Sequence, residues 1–119
     1  MKKVTIAIDI DGTLIRNDTN GDMDGSKPIA NERIRTLLII LSSFKNTHII
    51  AWSGGGELYV RQVCSSLGLD KYIDEYKSKN LIGNENGKHI FTPDITPDIA
   101  IDDIQDCNLG TLNLIVKEK

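Results

Sequence analysis

The sequence has no excess of positive charge, no long apolar run and no clustered cysteine. Lysine and arginine number 14 against 17 aspartates and glutamates, a net charge of −3. Proteins held to nucleic acid through its phosphates need a basic face, so this balance argues against a nucleic-acid partner unless lysines cluster locally. No apolar stretch approaches the roughly 20 residues that span a bilayer. Asp9 and Asp11 also interrupt the run that a signal peptide would need after Met1-Lys2-Lys3. No membrane partner is therefore expected. Cys64 and Cys107 have neither disulfide nor metal-site spacing, and Cys64 falls at a helix-periodic core position. A reducing cytoplasm is the expected compartment. Repeats and linkers are missing as well. With 119 residues, 39% of them hydrophobic, the chain is expected to be one ordered domain, 1–119, around one core.

What is present is organised around Val4-Thr5-Ile6-Ala7-Ile8-Asp9-Ile10-Asp11-Gly12-Thr13. A short β-branched run closed by a turn signal reads as a buried strand. Apolar residues on both faces are typical of a parallel sheet. Residues i and i+2 of a strand point to one side about 6.6 Å apart, so Asp9 and Asp11 leave its C-terminal end close together. Open α/β sheets bind ligands at that edge, and Gly12 permits a sharp turn there. Acid-Gly turns by themselves also merely solvate strand ends.

Residues 14–28 read as a polar loop or short flap. Asp18, Asn20 and Asp22 alternate like the first ligands of a calcium loop, but Met23 and Ile29 occupy the places where that loop needs Gly and Glu. Helical spacing of Ile34, Leu37, Leu38, Leu41 and Phe44 predicts a helix over about 29–44, with Pro28 at its start. His48–Trp52 reads as a second strand, running into Ser53-Gly54-Gly55-Gly56. A second helix is expected over about 56–67, stopped by Gly68. A short strand is expected near the end of 72–79. Residues 80–97 read as loop with room for a hairpin. Asp98–Ile101 reads as a buried strand ending in Asp102-Asp103. Residues 104–110 allow barely two helical turns, and Leu112–Val116 reads as the last strand. Strands alternating with helices define α/β with a largely parallel sheet.

Three strand ends thus carry Asp9/Asp11, Ser53-Gly54 and Asp102/Asp103, with Lys77 or Lys79 nearby. The strand ends of a parallel sheet share one edge, so these groups converge. Two unit charges 4 Å apart repel by about 4 kcal/mol at an effective dielectric near 20, which a hard cation such as magnesium relieves with oxygen ligands. The glycine-rich turn into a helix offers N–H donors to an anion, and a lysine adds a point charge. Together these make a phosphoryl-transfer site. Each piece also has a plain structural reading: Ser53 or Asp102/Asp103 as helix caps, either lysine as a solvated surface residue.

The ordered set resembles the haloacid dehalogenase superfamily of phosphatases, in its small capless type. The matching motifs are Asp9-Ile10-Asp11-Gly12-Thr13, Ser53 after an apolar strand, an upstream lysine, and Asp102-Asp103 after Ile99-Ala100-Ile101. The resemblance implies a three-layer Rossmann-like domain without a large cap. It implies Asp9 as the nucleophile that becomes an aspartyl-phosphate, and Asp11 as the acid that protonates the leaving oxygen and then activates water. It assigns Thr13, Ser53 and Gly54 to phosphoryl binding, and Lys79 or its rival Lys77 as the site lysine. Magnesium falls to Asp9, the Asp11 carbonyl, and Asp102 or Asp103. Lys79 fits the spacing best; the irregular stretch after it departs from the family's usual pattern.

The resulting expectation is a magnesium-dependent phosphomonoesterase whose phosphorylated substrate the sequence does not name. The alternative is a phosphate- or metal-binding module without turnover, against which intact Asp9 and Asp11 speak. A receiver-type signalling domain would put its acidic pair after the first strand, whereas here the adjacent pair comes late. A capless site is open. Either a large substrate brings its own surface, or a second copy in a homo-oligomer covers the site.

Overall fold

Ile6 and Ile8 point to one face of the first apolar run and Ala7 to the other, all three are buried, and the run forms β1, Val4–Asp9. In the computed structural model, which describes residues 2–16 and 28–117, β1 is the middle strand of a five-stranded sheet. The other elements are α1 (Glu32–Ser42), β2 (Thr47–Ser53), α2 (Glu57–Ser66), β3 (Glu75–Ser78), β4 (Leu81–Glu85), β5 (Lys88–Phe91), β6 (Ile99–Asp102) and β7 (Leu112–Ile115). The sheet order is β3-β2-β1-β6-β7, and every pairing in it is parallel. All five strands therefore end at one edge. Most of the expected flap, with Asp18, Asn20 and Asp22, lies outside the described residues.

One face of the sheet carries the main core. Ile6, Ile8, Ile49, Ala51 and Ile101 pack there against Ile34 and Leu38 of α1 and Val60, Val63 and Cys64 of α2. Burying each such aliphatic side chain contributes about 1.5–3 kcal/mol. The opposite face holds Ala7, Ile50 and Trp52, covered by Ile95 and Leu109. Both of those residues come from stretches without regular structure. The class is α/β with a parallel sheet, as expected, but among the described residues the helical layer lies on one face only. Among the described residues, no helix is long and apolar enough to cross a membrane.

Two expectations about elements are corrected and one open reading is resolved. The first helix begins at Glu32, where the Asn31 side chain accepts from the Arg33 N–H and caps it. Pro28 stands before that cap, and Ala30 bridges to Ile15 instead of joining the helix. Residues 104–110 form turns, not helix. A helical crossover takes about ten to twelve residues, more than the stretch between β6 and β7 provides. There Gly110 passes so close to β6 that a Cβ on it would stand 2.7 Å from the Ala100 nitrogen. The hairpin for which 80–97 left room is present over 81–91, as antiparallel β4–β5. Asn86 and Gly87, both with positive φ, make the two-residue turn that suits strand twist.

Candidate active site

The shared strand edge places the polar residues. Asp9 ends β1, Ser53 ends β2 and Asp102 ends β6. Lys79 follows β3, its backbone N–H donating to the Ser53 carbonyl at 2.9 Å. The Lys79 ammonium bridges two carboxylates, at 2.6 Å from Asp9 Oδ1 and 2.7 Å from Asp102 Oδ2. All three side chains are buried. Thr13, reached through the Gly12 turn at φ 78, donates its hydroxyl to Asp9 Oδ2 at 3.1 Å. The second oxygen of Asp102 accepts from the Ile104 N–H at 3.2 Å, so both of its oxygens are engaged.

Asp103 stands next to this pair and is less buried. Carboxylate oxygens of Asp9, Asp102 and Asp103 lie within 4.8 Å of one another. Three acids face one lysine in a buried setting. Burial pushes the Asp9 carboxyl well above the ordinary range, against the pull of Lys79. Burial raises Asp103 as well. Burial alone would lower Lys79, but the charges of Asp9 and Asp102 outweigh it and hold the ammonium charged. The donors are all oxygen and the surplus charge is negative, which fits a hard divalent cation.

Of the two candidate lysines, only Lys79 enters the cluster. Lys77 points to Glu75 at 3.4 Å. Ser53 is buried and its Oγ accepts from the Gly55 N–H at 3.0 Å. It does not cap α2, whose N-cap is Gly56 at φ 99 without a side-chain bond. Asp11 lines the same cleft as Asp9, Ser53 and Gly54 but stays out of the carboxylate cluster. Its Oδ1 accepts from the Tyr59 hydroxyl at 2.6 Å. Burial and this bond hold the Tyr59 phenol well above its ordinary pKa.

Sequence reasoning missed four residues here. Tyr59 reads as an ordinary helix-core position, yet it reaches Asp11. Leu81, His89 and Phe91 of the hairpin line the cleft, whose volume is about 430 Å³. The Phe91 ring lies 5.1 Å from the Lys79 ammonium, and a Cβ on Gly54 would stand 2.9 Å from its Cε1. No local pattern marks these residues, because the turn after Lys79 brings them in. Asn80 makes that turn at φ 56, a conformation that asparagine tolerates. No protein-family model, curated protein or solved structure matches the chain.

Proposed function

We propose that the protein is a magnesium-dependent phosphatase that hydrolyses a phosphomonoester through an aspartyl-phosphate on Asp9, as the resemblance to the haloacid dehalogenase superfamily implies. One observation carries this reading. Lys79 bridges Asp9 and Asp102 at 2.6 and 2.7 Å with a third carboxylate, Asp103, within ligand reach, at the edge where the Ser53-Gly54 turn offers donors to an anion. Its cysteines are free, in keeping with the cytoplasm as its compartment.

In this reading a carboxylate oxygen of Asp9 attacks phosphorus, and the leaving oxygen departs with a proton from Asp11. Water then attacks the acyl-phosphate phosphorus, Asp11 takes its proton, and Asp9 is regenerated with release of inorganic phosphate. The Ser53 hydroxyl, the Gly54 N–H and the Lys79 ammonium hold the phosphoryl oxygens, while Thr13 orients Asp9. Asp9, Asp103 and the Asp11 carbonyl would hold magnesium, which when bound offsets the charge on the transferring group. Asp102, with both oxygens already engaged, serves as the anchor of Lys79.

The test is phosphate release from a panel of phosphomonoesters with magnesium. Turnover should stop with chelator and return with added magnesium. The Asp9→Asn variant should be folded and inactive, because an amide does not attack phosphorus. Turnover surviving in that variant, its mass verified, would remove Asp9 as nucleophile. Asp11→Asn should slow turnover about a hundred- to ten-thousand-fold.

A further inference from the structure

The cleft over Asp9 borders a larger groove of about 920 Å³ between the β4–β5 hairpin and the 104–109 loop, and His89, Phe91 and Ile104 line both. The hairpin is fixed at its two ends. At the base the Thr92 N–H donates to the Asn80 carbonyl at 3.0 Å, and the Asn80 amide donates to the Thr92 carbonyl at 3.1 Å and to Asp94 at 3.2 Å. At the tip the Lys88 ammonium meets Asp106 of the facing loop at 2.6 Å. The arm therefore stands as a wall beside the phosphoryl site.

The chemistry of that wall is specific. Its site-facing side is aromatic: Phe91 beside Lys79, with His89 set edge-on to it at 6.0 Å between ring centroids. Leu109, Asn86 and Asn108 line the groove as well. Lys88, the one lysine among the groove's described residues, is engaged by Asp106, and Glu85 adds negative charge. A run of phosphates would find no free cation there, while a flat uncharged ring would find aromatic faces and amides.

Building on the phosphatase reading, we infer that this groove binds the leaving group, and that the substrate is a small phosphomonoester carrying an uncharged heteroaromatic ring of nucleoside size. The hairpin, not a second copy of the chain, then covers the site. Phe91 and His89 are its specificity-determining residues.

The test compares adenosine 5′-monophosphate with ribose 5-phosphate, which keeps the ester and lacks the ring. Ring stacking makes the expected wild-type preference in kcat/KM about tenfold or more. His89→Ala and Phe91→Leu should bring that ratio towards one, mainly through KM for the ring-bearing ester. A wild-type ratio near one, a proportional loss on both esters, or preference for a phosphorylated oligonucleotide end would overturn the inference. If no ester is hydrolysed, the phosphatase reading fails separately, and the groove is judged by nuclear magnetic resonance titration of the full chain with adenosine 5′-monophosphate. Shifts concentrated at 85–91 and 104–109 support it. Shifts elsewhere, or none, overturn it.

Discussion

At the scale of the residue, Lys79 decides whether the site can exist. A buried ammonium costs several kcal/mol in lost solvation, and two carboxylates compensate it here. Removing it leaves Asp9 and Asp102 buried without a counter-charge, so Lys79→Ala should lose activity and about 3–5 kcal/mol of stability in denaturant melts. Lys77→Ala, which loses a long contact with Glu75 and the packing of a side chain only 20% exposed, should cost about 1 kcal/mol and keep its activity. The reverse order would move the site lysine to Lys77. Asp9 carries the opposite strain. Its pKa is raised by burial, so the native metal-free protein holds that proton more tightly than the unfolded chain. The stability from this group is present below the unfolded value of about 3.9 and is lost as pH rises through the folded value. Asp9→Asn removes the titration. With chelator present, the variant's melting temperature relative to wild type should rise between pH 4 and pH 7. A gap that stays constant over that range would show that Asp9 charge is no burden on the fold.

The elements explain how much of this was legible in the sequence. β1, β2 and β6 announce themselves because buried parallel strands are unbroken apolar runs. Their ends put Asp9, Ser53 and Asp102/Asp103 on one edge, because parallel strands finish together. α1 and α2 follow from helical spacing, although Asn31 capping moved the start of α1. What periodicity could not supply was the hairpin. β4 is exposed along its whole length, so its side chains carry no burial pattern, and its contribution to the site is a matter of where Asn80 turns the chain. The missing turns of helix after β6 were equally hidden, since a backbone approach at Gly110 leaves no mark on neighbouring residues. The hairpin makes its own prediction. Gly54→Ala places a methyl 2.9 Å from Phe91 Cε1, closer than packed carbons tolerate, so the ring must shift. Overpacking of this kind costs about 1–3 kcal/mol. Hydrogen exchange should quicken in 81–91 far more than in β1 and β2. Equal loosening of the central strands would mean that the hairpin is part of the core and not an arm set upon it.

For the whole molecule, the consequence is a domain whose charge is arranged against its own stability. The core lies mostly on one face of the sheet, and three carboxylates with one lysine sit at the strand ends, so the fold gathers excess negative charge at the edge of its central strands. On the phosphatase reading proposed above, fold and function would be coupled through the cation. A ligand that binds only the native state stabilises it by about 2.7 kcal/mol at a hundred times its Kd. For a domain of this size the melting temperature should rise on the order of 10 °C between chelator and saturating magnesium. Because metal binding needs deprotonated ligands and burial raises both Asp9 and Asp103, the binding should release protons and strengthen as pH rises. Calorimetry in buffers of different ionisation enthalpy would count them. Asp103→Asn keeps the Lys79 bridge to Asp9 and Asp102 intact, so it should melt normally in chelator yet lose most of the magnesium-dependent rise. Sodium at matched ionic strength separates binding from screening, since screening acts on exposed charges over about 10 Å at 0.1 M and does not distinguish the two cations. An equal rise with sodium, or an undiminished magnesium effect in Asp103→Asn, would leave the acidic cluster without a metal and the phosphatase reading without its cofactor.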